Sequence, residues 1–264
     1  RINNFGSNVE IMRGSWIFLS HSSKDIAYVR QIRNEFEKYG HNPLAFHLKC
    51  LDSNTYEGRN EIFQLLKREI DARDWFVFCD SDNSRKSKYV DYERAYIMES
   101  GKDKIWTLDL SKPMEELKKQ ILQISSDLSI YVSYDPVDKA YADRIIEALR
   151  KKDFMVWTDE NIKEKDNDNY TYSIIYGVIV MLISKNSTEC NQKDLDYILN
   201  CCNGGETIIP VFIGKPAISS ADENWYRSGG RCFDINSSPE MADYTPLVEL
   251  MERIARAHMK FQLK

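Results

Sequence analysis

Between Ser84 and Tyr96 the chain reads SRKSKYVDYERAY. Serines head the segment, and a single glutamate, Glu93, sits one turn in, beside Tyr89 and Tyr92. A serine at a helix start usually caps free backbone N–H groups, and a glutamate near that end usually answers the helix dipole. The same residues can instead hold one carboxylate at the mouth of a pocket, where it stabilises positive charge developing on a bound substrate. The elements that position the segment decide between these readings.

Two stretches of sequence repeat. WIFLSHSSKD, Trp16 to Asp25, and IYVSYDPVDK, Ile130 to Lys139, superpose with a shift of 113 residues. Ser20 then falls on Ser133, Asp25 on Asp138, Tyr28 on Tyr141, Ile32 on Ile145 and Phe36 on Leu149. Each half therefore begins as strand, polar turn and amphipathic helix, with Val29, Ile32 and Phe36 at three-to-four spacing. Asp25 and Asp138 are expected to cap those helices or lie in their first turns. The strands NPLAFHL and FMVWTDE follow. The first half continues through the loop KCLDSNTYEGR, a helix with Ile62, Leu65, Leu66 and Ile70 on one face, and the strand WFVFCDS. The second runs through NIKEKDNDNYTYSII almost directly into YGVIVMLIS, leaving no room for a full helix. Beyond that strand the shift is 103, which puts Glu93 on Asp196 and Tyr89 on Gln192.

Strands are also expected at 104–110 and 206–214, with helices at PMEELKKQILQIS and TPLVELMERIARAHMKF. Strands alternating with helices predict an α/β fold in two flavodoxin-like domains, each a central parallel sheet with helices on both faces. The expected division is a tail over 1–13, a first domain over 14–127 and a second over 128–264. In such sheets ligands bind beyond the carboxyl ends of the strands. Those ends are Ser20 to Ser23, the loop after Phe46, and Asp80 to Ser87.

The 264 residues suffice for two domains, and their formal net charge of −5 gives no electrostatic case for nucleic acid. The longest apolar run, Ile174 to Ile183, is far short of the roughly 20 residues that cross a bilayer. No signal peptide pattern opens the chain, which starts with Arg as a trimmed chain would. Six cysteines without a C-x-x-C pair, and four histidines, offer no zinc spacing. These features predict a reduced, cytoplasmic protein without a metal, in which Cys79 is a buried thiol. His41 and His47 read as surface or loop residues. Asp80 and Asp82 lack the partner set a metal would need.

IFLSHSSKD, followed by EIFQLLKREIDARDWFVFCDSDNSRKSKYVDYE, resembles a bacterial Toll/interleukin-1 receptor (TIR) domain. The family's Ser-x-Trp/Tyr-Val-x-x-Glu motif is matched by Ser87-Lys88-Tyr89-Val90-Asp91-Tyr92-Glu93. The resemblance covers 14–127 well and 128–264 more weakly, as a degenerate second copy. It implies either NAD cleavage at the nicotinamide–ribose bond, with linear or cyclic ADP-ribose as product, or a pure interaction module. It implies a catalytic role for Glu93, antiphage defence as context, NAD as substrate with no further cofactor, and self-association through TIR–TIR contacts. An upstream sensor or a downstream effector would be its partner. A neighbouring copy's loop after the second strand often completes the pocket in such enzymes.

Nicotinamide already carries a positive charge in NAD and needs no acid to leave. One carboxylate that holds the ribose hydroxyls and stabilises the oxocarbenium-like transition state suffices. Asp196 is one methylene shorter, and a displacement of about 1 Å can cost roughly 100-fold in rate. The second copy is therefore expected to lack this activity and to regulate or oligomerise. Sheet-end geometry adds Ser20, His21, Ser22 and Ser23 as donors for ribose or pyrophosphate, without a glycine-rich phosphate loop. Lys24 would balance phosphate charge. Ser84 and Ser87 would bind ribose or cap the helix, Tyr89 would wall a base or pack, and Phe46 and Leu48 would border the opening. The competing readings are a signalling scaffold without catalysis and a sensor that binds a nucleotide without turning it over.

Overall fold

The computed structural model describes residues 14–45, 55–161, 175–187 and 207–259. The first half contains β1 (Trp16–Ser20), α1 (Ile26–Lys38), β2 (Asn42–Leu44), α2 (Tyr56–Asp71), β3 (Trp75–Asp80), α3 (Lys88–Glu99), β4 (Ile105–Asp109) and α4 (Met114–Asp127). Its four strands are all parallel, in the order β2-β1-β3-β4. The second half contains β5 (Ser129–Ser133), α5 (Lys139–Arg150), β6 (Met155–Trp157), β7 (Val178–Ile183), β8 (Thr207–Ile213), α6 (Ser220–Ser228), β9 (Phe233–Ile235) and α7 (Thr245–Met259). Its five strands are also parallel, in the order β6-β5-β7-β8-β9. The strand order reverses direction between β1 and β3 and between β5 and β7; in the first sheet this switch point lies at the ends of the strands that carry Ser20 and Asp80.

Central strands covered by helices on both faces read as unbroken apolar runs. β3 and β7 do so: every residue of VIVMLI is buried, and so is all of WFVFCD except its final aspartate. α1 buries Val29, Ile32 and Phe36, the row its spacing predicted. α2 starts at Thr55, whose hydroxyl accepts from the Gly58 N–H at 3.0 Å.

Two elements escape the sequence reading. α6 has no buried residue and hence no apolar stripe; it is held by its cap, the Ser219 hydroxyl accepting from the Asp222 N–H at 3.1 Å. β9 is only three residues long, too short to show a period. Between β6 and β7, where the sequence left no room for a full helix, a helical turn starts at 159–161, with the Asn161 N–H donating to the Thr158 hydroxyl at 3.4 Å; residues 162–174 lie outside the described residues, as does His47. His41 lies in the connection between α1 and β2, a loop position as expected, but not at the surface. It is buried, its Nε2 lies 3.4 Å from the Ser125 carbonyl on α4, and burial pushes its pKa down to about 4.

The halves share one apolar core. A single cluster runs from Ile17, Trp75 and Trp106 through Ile121 and Ile124 of α4 to Phe154, Val180 and Met251. Trp75 stacks on Trp106 with centroids 5.5 Å apart and meets the edge of Phe154 at 5.2 Å. The Trp75 indole N–H donates to the Asp153 carbonyl at 3.1 Å, and the Trp16 backbone N–H donates to the Asp153 carboxylate at 2.8 Å. Asp153 adopts φ 59° where α5 ends, a left-handed position that aspartate tolerates better than most residues. Burial raises its carboxyl to about 7. A buried ion pair, Lys104 Nζ to Glu252 Oε1 at 2.6 Å, ties the start of β4 to α7.

A core shared in this way predicts one cooperative unfolding transition for both halves. Trp75→Ala, which empties the largest side chain at the seam, should cost about 3–5 kcal/mol. Denaturant melts followed by tryptophan fluorescence and by far-ultraviolet circular dichroism test both statements. Two separated transitions in the unsubstituted chain would show independent cores.

Candidate active site

β1 and β3 pair in register with Ser20 opposite Phe78, so both strands deliver their carboxyl ends to the same crevice. α3 begins behind Ser87, whose hydroxyl accepts from the Val90 N–H at 3.5 Å. Its buried residues are Val90, Glu93 and Ile97, spaced at three and four along one face. Glu93 thus occupies a core-facing position, where an apolar residue is the norm. It is only 6% exposed. A surface residue answering the helix dipole would not be there.

Ser20 Oγ donates to Glu93 Oε2 at 2.5 Å. Burial pushes Glu93 from its ordinary 4.5 up to about 7, and the Ser20 hydrogen bond opposes the shift by favouring the charged form. At neutral pH both protonation states are populated. Cys79, on the neighbouring strand, is fully buried, and burial followed by the Asp25 and Glu93 carboxylates raises its thiol to about 12. No thiolate competes as a nucleophile there.

The loop between β3 and α3 is closed by its own serines. Ser81 N–H donates to Ser84 Oγ at 2.8 Å, Ser84 N–H donates to Ser81 Oγ at 2.9 Å, and Ser84 Oγ donates to the Ser81 carbonyl at 3.0 Å. Asp25 then clasps the loop, accepting from Ser81 Oγ and from Asn83 Nδ2, both at 2.6 Å. The second half repeats the clasp. Ser184 N–H donates to Ser187 Oγ at 2.8 Å, and Asp138 accepts from Ser184 Oγ at 2.6 Å and from Asn186 Nδ2 at 3.1 Å. Asp25 and Asp138 stand at the helix starts, as expected, but these bonds change what their side chains do. Both sit at the N-cap position, yet neither side chain caps its helix, because each carboxylate is spent on a loop from another part of the sheet.

The remaining predicted residues divide. His21 is buried, with Nδ1 2.8 Å from the Leu19 carbonyl, which puts the proton on that nitrogen. Ser22 is buried and its hydroxyl accepts from the Lys24 N–H at 3.3 Å, while Ser23 and Lys24 are at the surface. Ser84 is fully buried and turned into its own loop. Tyr89 is half-buried against Phe63, with centroids 5.6 Å apart, beside Tyr92 at 4.3 Å from the same ring. Phe46 and Leu48 lie outside the described residues. Asp80 is gripped by the Arg85 guanidinium at 2.9 and 2.7 Å, and Asp82 meets the same arginine at 3.2 Å. The sequence reading gave no weight to Arg94, an ordinary helical arginine by composition. Its guanidinium lies 4.5 Å over the Phe78 ring and, with Ser20, lines an open cavity of about 530 Å³.

The TIR domain family matches the chain twice, over residues 17–127 and over 130–244. No curated protein matches. Among solved structures, the apo form of a dinucleotide forming acetyl-coenzyme A synthetase 1 from Ca. Korarchaeum cryptofilum is similar at 11% identity and a TM-score of 0.27, over 95% of this chain and 67% of that one. No helix among the described residues is long and apolar enough to cross a membrane.

Glu93 sets a pH dependence of stability. Because its folded pKa lies above its unfolded value, the folded state holds the extra proton between about 4.5 and about 7. Its contribution is complete below that window and is lost as pH rises through about 7. Glu93→Gln keeps an acceptor for Ser20 and removes the buried charge. It should stabilise the protein by roughly 3 kcal/mol above about pH 8 and by little near pH 4. Urea melts at the two pH values check this, and equal effects at both would contradict the buried ionisation.

Proposed function

The chain belongs to the TIR domain family, with two copies in tandem, and on that premise we propose that the first copy cleaves NAD at the nicotinamide–ribose bond with Glu93 as the catalytic carboxylate. The observation that carries the reading is a glutamate on the inward row of α3, buried at the sheet crevice and held by the last residue of β1. A buried carboxylate disfavours folding unless it is paired, and an interaction scaffold has no use for one there.

In this reading nicotinamide departs as a neutral base with the bonding electrons, and the positive charge passes to the ribose. Ionised Glu93 holds the ribose hydroxyls and stabilises that charge through a carboxylate already fixed in place. Ser20 is a positioning residue. It fixes the rotamer of Glu93 and keeps its pKa from rising further. Attack by water gives linear ADP-ribose, and attack by the adenine ring gives the cyclic product. Exclusion of water around the ribose decides between them. Ser22, Ser23 and Lys24, at the end of β1, are the groups for pyrophosphate.

The second copy keeps the loop clasp of the first. At the position aligned with Glu93 its sequence has Asp196, outside the described residues. We assign that copy a regulatory or oligomerising role. Bacterial relatives with this activity often serve in antiphage defence, and we extend that role here, with a sensor protein upstream or an effector downstream.

Nicotinamide release by concentrated protein under crowding tests the proposal. Glu93→Gln and Glu93→Ala should each lower the rate by about 100-fold or more, while Asp196→Ala retains it. The kcat/KM of the native chain should fall as pH drops through about 7, where Glu93 takes up its proton. Ser20→Ala should move that limb to higher pH. No release by the native chain under any assembly condition would overturn the assignment.

A further inference from the structure

The second copy contains a cavity that the proposed reaction does not use. β9 joins β8 only from Val211 onward, where Val211 meets Phe233. The earlier residues of β8, from Thr207, have no strand on that edge among the described residues. A cavity of about 500 Å³ opens there. Gly230, with φ 65°, turns the chain from α6 toward β9, and Arg231, Cys232 and Phe233 line the cavity. Leu250, Arg253 and Ile254 of α7 also line it, at the spacing of one helix face. It lies in the second copy at the amino ends of its strands, whereas Glu93 is held at the carboxyl end of β1 in the first.

Its charge is one-sided. Nearby arginines are paired: Arg227 with Glu223 and Asp234, Arg256 with Asp103 and Glu252. Arg231 and Arg253 form no ion pair among the described residues, and no described acidic side chain lines the cavity. Arg253 stands more than a turn before the end of α7, beyond the reach of the helix dipole. Two uncompensated guanidiniums thus border an apolar wall of Phe233, Leu250 and Ile254. Planar guanidinium forks match phosphate oxygens. A phosphate monoester carries a charge of about −1.5 to −2 near pH 7, which answers two arginines where a carboxylate answers one. The apolar wall calls for a ligand body that can leave water, and a volume of this size holds a small organic molecule.

We propose that this cavity binds a nucleoside monophosphate, with its phosphate on Arg231 and Arg253 and its base against Phe233, Leu250 and Ile254. α7 also carries Glu252 and Arg256, which pair with Lys104 and Asp103 of the first copy. A ligand seated on α7 therefore stabilises the joined unit and not the second copy alone. The site is independent of whether the first copy cleaves NAD.

Isothermal titration of the full chain with the standard ribonucleoside 5′-monophosphates reads the binding, and alkylation of Cys232 locates it. Cys232 is a half-buried free thiol in the cavity wall, with its Sγ 3.9 Å from Arg227 Nη1. Nucleotide at about ten times its Kd should slow iodoacetamide labelling of Cys232, read by peptide mass, about ten-fold. Arg231→Gln and Arg253→Gln should each weaken binding about ten-fold or more, and Arg253→Lys should cost less than Arg253→Gln. The nucleoside alone and inorganic phosphate alone should each bind at least about ten-fold more weakly than the nucleotide. Both arginines are exposed, and circular dichroism and melting temperature confirm the fold of each variant. Binding that the glutamine substitutions or the labelling of Cys232 do not register belongs elsewhere on the chain and overturns the proposal. So does a chain that binds none of the nucleotides, or one that binds inorganic phosphate as tightly.

Discussion

A parallel sheet has no solvated face to spare: helices must cover both sides and something must cover its edges. The first sheet of this chain cannot meet that demand alone. Among the described residues it has four strands, and after β4 the chain spends its next helix on the opposite face and enters the second sheet. The second copy makes good part of the shortfall. α7 packs on α4 and reaches β4, Glu252 neutralises Lys104 at its start, and Phe154 closes over Trp75. The fused core follows from this shortage, and the missing strand and the shared interior are one fact.

The same rigid frame explains how a carboxylate can be kept in an apolar position. Among the described residues Glu93 has one strong donor, Ser20, at the end of a strand pinned on both sides. The helix that carries it is launched from a loop closed by reciprocal serine bonds and held by Asp25. The second copy has the same loop and the same aspartate clasp. Tandem copies can therefore share the scaffolding of a site while only one keeps the long carboxylate in the sequence. For the proposed reaction a stiff support is what a single stabilising charge needs, since such a charge acts by being already in place.

Much of this was legible because burial leaves periods in sequence. β3 and β7 announced themselves as unbroken apolar runs, and α1 by Val29, Ile32 and Phe36. The family motif singled out Glu93, whose place on the inward row of α3 is itself a period, with Val90 and Ile97 on either side. What stayed hidden depends on partners distant in the chain. Asp25 looks like a cap until Ser81 and Asn83 arrive from another strand end, and His41, in its loop, looks exposed until α4 closes over it. Ser84 reads in sequence as a ribose ligand or a helix cap, and only its bonds to the amide and carbonyl of Ser81 show that it closes its own loop. α6 left no trace because none of its residues is buried, so hydrophobic spacing had nothing to report.

One joint carries a consequence for how this protein can be taken apart. α4 ends at Asp127 and β5 begins at Ser129, so Leu128, fully buried, is the whole connection between the two copies. There is no tether for a protease to find and none at which a gene could be divided cleanly. A fragment ending there would leave Trp75 without Phe154 and strand the Lys104 ammonium without its carboxylate. The repeat reads as two modules in sequence, but its interior is built as one part.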